Sequence, residues 1–185
     1  ILKTTRTVCM AIALTASAAS ADLINGNFEA GNTGFTSAYA YLPVSVPPNV
    51  NQYGVAHSSF EWSNFWHNVP GDHTTGSGLF MIVDVGSTDT IWQQTVAVAP
   101  GTQYTFGAYL ATWTSFPAGT FAVEINGAPI ASWNGPGTAA WTPYSAAWNS
   151  GAATSATIRI YATVVFQPGD DVALDDLSFV PAPGS

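Results

Sequence analysis

The stretch Gln103-Tyr104-Thr105-Phe106-Gly107-Ala108-Tyr109-Leu110 alternates without a break. Tyr104, Phe106, Ala108 and Leu110 fall on one face, Thr105, Gly107 and Tyr109 on the other. A two-residue period with aromatic and aliphatic residues on one side is that of a half-buried β-strand, because successive Cβ atoms leave a strand on opposite faces. No helical face can be drawn through the same residues.

The rhythm continues on both sides. Phe121, Val123 and Ile125 alternate with Ala122, Glu124 and Asn126, and Ile158, Ile160 and Ala162 alternate with Arg159 and Tyr161. Residue type and spacing predict further strands at 22–29, 79–85, 90–98, 129–133, 141–149 and 172–180. Turn signals separate them: Pro100-Gly101, Asn126-Gly127, Gly135-Pro136-Gly137 and Pro168-Gly169-Asp170. Asn126-Gly127 predicts a tight hairpin, since both residues tolerate the positive φ that such a turn demands. Residues 31–78, rich in Ser, Asn, Pro and aromatics, read as long loops with one or two short strands. The sum is an all-β chain, a single antiparallel β-sandwich of the jelly-roll kind.

The first residues read differently. Lys3 and Arg6 precede a mildly apolar run over 8–14, and Ala19-Ser20-Ala21 has the small-x-small pattern of a signal-peptidase site. We therefore expect residues 1–21 to be a cleaved signal peptide, 22–180 the sandwich, and 181–185 the start of a C-terminal linker or sorting segment. The apolar run is too short for a membrane span, and no span is expected in the mature chain. Cleavage would remove Cys9, the single cysteine, and leave Arg159 as the sole Lys or Arg against eleven carboxylates, a net charge of −10 with His neutral. So acidic a surface repels phosphate backbones and anionic membranes, which excludes nucleic-acid binding. An exported, extracellular or cell-surface location follows from the same residues.

Two groups carry chemistry. Strand parity predicts that Asp175 shares the buried face of Leu177 and Phe179, where a carboxylate is costly unless paired, hydrogen-bonded or metal-bound. With one Arg in the mature chain, a hard cation is one solution and hydrogen bonding within a turn is the other. The second group is an aromatic loop in which Trp62, Phe65 and Trp66 could stack on sugar rings, while Asn64 and His67 bond hydroxyls. The alternative is that these rings are core filler in a sandwich without disulfides; Trp113, Trp133, Trp141 and Trp148 read that way. His57, His67 and His73 lie at no metal-ligand spacing. No nucleophile elbow, zinc-protease or phosphate-loop motif is present, and nothing places Glu61 opposite Asp72 as a glycosidase pair would require. We expect no enzyme.

Several segments together resemble the carbohydrate-binding-module type of galactose-binding-like jelly roll. Leu23-Ile24-Asn25-Gly26-Asn27-Phe28-Glu29 resembles its opening strand, and His73-Thr74-Thr75-Gly76-Ser77-Gly78 before Leu79-Phe80-Met81-Ile82-Val83 its second landmark. Ile91-Trp92-Gln93-Gln94-Thr95-Val96, with Pro100-Gly101 and the strand that follows, resembles the central pair. Ala173-Leu174-Asp175-Asp176-Leu177-Ser178-Phe179 resembles the closing strand. The resemblance implies a structural Ca²⁺ joining first and last strands, with Glu29, Asp175 or Asp176, and carbonyls near Asn27 and Thr75 as ligands, and Asp72 as an added side chain. Oxygen donors of this kind suit Ca²⁺. The combination is also similar to secreted proteins of exosortase-dependent (PEP-CTERM) bacteria, in which a Val-Pro-x-Pro-Gly segment follows the domain; Val180-Pro181-Ala182-Pro183-Gly184 matches it, with Ala182 where Glu is usual.

The expected function is a secreted, non-catalytic surface or matrix protein with a carbohydrate-binding-type sandwich, its partner a polysaccharide or cell-surface glycan. The alternatives are a purely structural surface protein without a soluble sugar ligand and, last, a glycoside-active enzyme.

Overall fold

The computed structural model describes residues 21–43, 49–63, 69, 71–112, 119–165 and 170–183. Ten strands and one helical turn follow in chain order: β1 (Ala40–Tyr41), β2 (Gln52–Ala56), α1 (Ser59–Trp62), β3 (Phe80–Asp84), β4 (Thr90–Ala97), β5 (Gln103–Ala111), β6 (Thr120–Ile125), β7 (Ala128–Asn134), β8 (Thr142–Asn149), β9 (Ser155–Val164) and β10 (Val172–Pro181). One sheet has the order β1-β2-β3-β10-β5-β8, the other β4-β9-β6-β7. All pairings are antiparallel except β1 with β2. This is the expected all-β sandwich.

The alternation read from the sequence sets the core. Tyr104, Phe106, Leu110, Phe121, Val123, Ile125, Ile158, Ile160 and Phe179 point between the sheets and are buried. Tyr104 stacks on Phe179 at 4.9 Å, and Phe106 on Trp133 at 6.2 Å. Each such side chain contributes about 1.5–3 kcal/mol of burial. Ala21, just before the expected cleavage point, also lies in this core. The β6–β7 turn has φ of 53° at Asn126 and 79° at Gly127, as the Asn-Gly pair predicts.

The opening strand expected at 22–29 is absent. Asn25 and Phe28 adopt positive φ, 57° and 56°, and the Asn25 amide donates to the carbonyls of Gly31 and Thr33 at 2.8 Å. A residue whose side chain bonds nearby backbone offers the chain an alternative to a ladder. The apolar alternation of this stretch is satisfied instead by a looped segment that buries Phe28 and exposes Ile24.

A second, smaller core lies on the outer face of the six-stranded sheet. Ala56, Trp62, Val69, Phe80, Ile82, Ala111 and Ala173 form it, with Leu42 and Trp141 against its rim. Trp62 is 1% exposed and donates from Nε1 to the Leu42 carbonyl at 3.0 Å. Its indole lies on β2 at Gly54, where a Cβ would come within 2.4 Å of Nε1, so only glycine fits. Ser58 caps α1 by accepting from the Glu61 N–H, and Glu61 Oε2 accepts from the His57 N–H. Trp62 is thus packing, a correction to its expected role as a sugar platform: a ring enclosed on both faces has none to offer a ligand.

Candidate functional site

A register shift in β10 decides the chemistry of its outer face. Leu174 faces Leu110 and Asp175 faces Tyr109, but Ser178 then faces Gly107 and Phe179 faces Phe106. The extra residue is absorbed at Asp176, whose φ is 46°. Val172 and Leu174 before the bulge, and Leu177 and Phe179 after it, all point into the main core. Asp175 therefore does not share the face of Leu177 and Phe179, as parity had predicted. It points outward with Tyr109 and is buried, at 1% exposure, beneath the loop that precedes β3.

That loop is organised by Asp72. Its Oδ2 accepts from the Thr75 N–H at 2.8 Å, and its Oδ1 from Thr75 Oγ1, the Ser77 N–H and the Gly78 N–H at 2.7–2.8 Å. Burial opposes the charge, but the Thr75 hydroxyl and three N–H groups outweigh it and hold the carboxyl at about 2. Glu29 Oε1 accepts from the Leu79 N–H at 2.8 Å, and a Cβ on Gly78 would fall 2.0 Å from that oxygen and 2.9 Å from Asp72 Cγ. Glu29 and Asp72 thus flank one glycine. The Asn27 carboxamide accepts weakly from the Glu29 N–H at 3.4 Å.

The loop is tied to β10 by His73. Asp175 Oδ2 accepts from the His73 N–H and Oδ1 from the Asp176 N–H, both at 2.7 Å. Asp176 Oδ2 meets His73 Nδ1 at 2.6 Å and accepts from Thr74 Oγ1. Burial, aided by the charges of Asp176 and Asp72, pushes Asp175 up to about 7 despite its two N–H donors. The six residues implied as calcium ligands, Asn27, Glu29, Asp72, Thr75, Asp175 and Asp176, are thus brought to one corner. Their donors are all oxygen, which suits a hard cation. Among the described residues, though, no three carboxylate, imidazole or thiol groups converge as a ligand set.

Beside this corner lies an open groove of about 620 Å³, lined by Leu23, Asn25, Gly26, Asn27, His73, Tyr109, Asp176, Leu177 and Ser178. The first four form one wall, pinned to the bulge because the Leu177 N–H donates to the Gly26 carbonyl at 2.8 Å. A Cβ on Gly26 would meet the Leu177 oxygen at 2.1 Å. The imidazole of His73 stacks on Tyr109, centroids 3.4 Å apart and planes 18° from parallel. The groove therefore presents an aromatic pair, the carboxamide of Asn27, the hydroxyl of Ser178 and the carboxylate of Asp176, while the Asn25 carboxamide is engaged within its own loop. Tyr109, Ser178 and Asn25 were not anticipated here. Tyr109 stands on the polar face of its strand, which was the available signal. Of the expected sugar-contacting residues, Asn64, Phe65, Trp66 and His67 lie outside the described residues.

No protein-family model matches the chain, and no curated protein sequence does. Solved structures do. The chain is similar to TmCBM61 in complex with β-1,4-galactotriose, at 15% identity over 87% of this chain and 99% of that one, with a TM-score of 0.57. It is similar to the CBM22-1 xylan-binding domain of Paenibacillus barcinonensis Xyn10C, at 16% identity over 92% and 100%, TM-score 0.54. It also matches the enzymatically active domain of bacteriophage CBA120 tailspike protein 4, at 15% identity and TM-score 0.55, but spans only 22% of that chain. At these identities the likeness shows the fold, a jelly roll of the carbohydrate-binding-module type. Among the described residues no helix is long and apolar enough to cross a membrane.

Proposed function

We propose that this chain is a secreted, non-catalytic surface or matrix protein whose sandwich binds a polysaccharide in the groove beside the β10 bulge. The observation that carries the reading is the groove itself. The His73–Tyr109 stack offers an apolar aromatic surface, and Asn27, Ser178 and Asp176 stand around it as hydrogen-bonding partners for hydroxyls. The rigid sheet beneath holds this arrangement before any ligand arrives, so little ordering cost attends binding. The fold shared with galactotriose- and xylan-binding modules supports the same reading. Export and exosortase sorting rest on the signal-peptide pattern of residues 1–21 and on the Val180-Pro181 segment.

Calcium belongs to the proposal as a structural ion. Glu29 and Asp175 would hold it, with carbonyls near Asn27 and Thr75 and with Asp72 or Asp176 in support. It would neutralise a buried carboxylate that no Lys or Arg among the described residues pairs with. The purely structural alternative draws on the burial of Trp62 and Trp92, which leaves neither as a sugar platform.

The test is affinity electrophoresis of the chain through gels carrying galactan, xylan or mixed β-glucans, repeated with Tyr109→Ala. Retardation by one glycan, weakened about tenfold or more in the variant, is expected. Free migration through every gel would leave the structural reading standing.

A further inference from the structure

Each sheet of the sandwich has two outer strands, β1 and β8 in one and β4 and β7 in the other. An outer strand offers unpaired N–H and C=O groups to any strand that approaches, so folds guard theirs by shortness, cover, proline or bulges. Three of the four are guarded. β1 is two residues long. Along β4, Gln93 exchanges both backbone hydrogen bonds with Thr36, and the Thr90 carbonyl accepts from the Ala38 N–H. β7 carries Pro129, which has no N–H, and a register shift beside it, and its Asn134 carbonyl accepts from the Tyr144 hydroxyl.

β8 is open. Its register with β5 runs unbroken over eight pairs, from Gln103 with Asn149 to Leu110 with Thr142. The Ser150 N–H donates to the Thr102 carbonyl at 2.9 Å, so by alternation Trp148, Ala146, Tyr144 and Thr142 spend their backbone groups on β5. Those of Ser145, Ala147 and Asn149 point away from the sheet, and among the described residues no hydrogen bond reaches them. All three residues are exposed. Beneath this edge lie three half-buried aromatics, Trp148 and the pair Trp133 and Tyr144, whose ring centres are 5.3 Å apart. No charged residue occurs between Glu124 and Arg159, so β7 and β8 are neutral in a chain of net charge −8.

We propose that β8 is the interface of a homodimer, in which two copies pair antiparallel about Ala147 and join their six-stranded sheets into one. The row of open groups is self-complementary. Around a two-fold axis at Ala147, Ser145 of one copy faces Asn149 of the other, and the three N–H and three C=O groups of each copy all find partners. Pro143 lies outside these pairs, and the small side chains of Ser145, Ala146 and Ala147 leave the approach clear. Two chains this acidic repel over much of their surfaces, and at a neutral edge they meet without desolvating a carboxylate. Tyr144 and Trp148 lose further apolar surface to the second copy, in keeping with the aromatic enrichment of interfaces. An isologous pairing closes on itself, so assembly stops at two. The axis stands normal to the sheet, which sets the outward grooves of both copies on one side.

Sedimentation velocity of the full chain, from nanomolar to high micromolar concentration, tests this. A species of twice the chain mass should appear in the micromolar range. Ala147→Pro removes the central N–H without breaking a bond to β5, and Ala147→Lys sets two ammonium groups face to face at the axis. Each should weaken dimerisation about tenfold or more. A chain monomeric at every concentration overturns the proposal, as does a dimer that both variants leave intact, or growth beyond two copies. Should the variants not fold, amide hydrogen exchange decides in the wild type. The Ser145, Ala147 and Asn149 amides should exchange at least about tenfold more slowly at high than at low concentration, and unchanged rates there sink the pairing.

Discussion

The two acidic corners of the closing strand, one around Asp72 and Asp175 and the other at Asp171 just before β10, are built from the same side chains and titrate in opposite directions. Asp72 is 5% exposed, yet sits at about 2, because a hydroxyl and three N–H groups converge on it. Asp171 receives one N–H, from Val85, and is pushed up to about 8. Burial raises a carboxyl in both places, and the number of donors aimed at it decides whether the charge survives. The loop ahead of β3 turns sharply, so several of its N–H groups point inward. The strand ends at the other corner spend theirs on the ladder and have few to spare. Asp175 lies between the cases, with two N–H donors and two carboxylate neighbours, and ends near 7.

The largest effect should come from removing the well-donated carboxyl. Asp72→Ala removes the shared acceptor of three part-buried N–H groups and a hydroxyl and is expected to cost about 2–3 kcal/mol in denaturant unfolding. A loss under about 1 kcal/mol would show that the loop does not need its centre. Asp72 also sets an acid limb of stability. A depressed carboxyl stabilises above its unfolded value near 4, and that contribution disappears as pH falls through about 2. Next in size is the calcium response. Millimolar Ca²⁺ should raise the melting midpoint relative to chelator by about 5 °C or more, through mass action on the native state, and Glu29→Gln and Asp175→Asn should each remove that rise. A rise that persists in both variants would move the ion elsewhere. Smallest is Asp89→Ser: Asp89 is an exposed turn residue that accepts from the Ser87 hydroxyl. It should change stability by less than about 0.5 kcal/mol at any pH. A larger change there would mean that net charge, not local donors, governs these carboxyls.

Much of the sandwich was legible because period two survives in a strand that buries one face. β5, β6 and β9 show it, and their bounds lie close to the predicted ones. The reading failed where a backbone irregularity intervened. In the opening segment, Asn25 bonds its own loop and the expected strand does not form. In β10, one residue at positive φ moved Asp175 to the other face, a change that no count of alternating residues contains. Trp62 was weighed as ligand platform or core filler, and only the path of the chain over Gly54 decided it. Tyr109 and Ser178 were readable as residues of a polar face, but not as neighbours of His73 and Asn25, which come from loops distant in sequence.

By itself, the sequence determined most of the strands, the tight Asn126-Gly127 turn, the acidity and the scarcity of cationic partners, since these follow from residue type and local spacing. The tertiary structure decided which carboxyls meet, how many N–H groups each receives, and where an aromatic pair lies open beside hydrogen-bonding groups. Those are properties of segments brought together across 50 to 102 residues, and the free energy of a charge depends on what surrounds it in space rather than on what adjoins it in the chain.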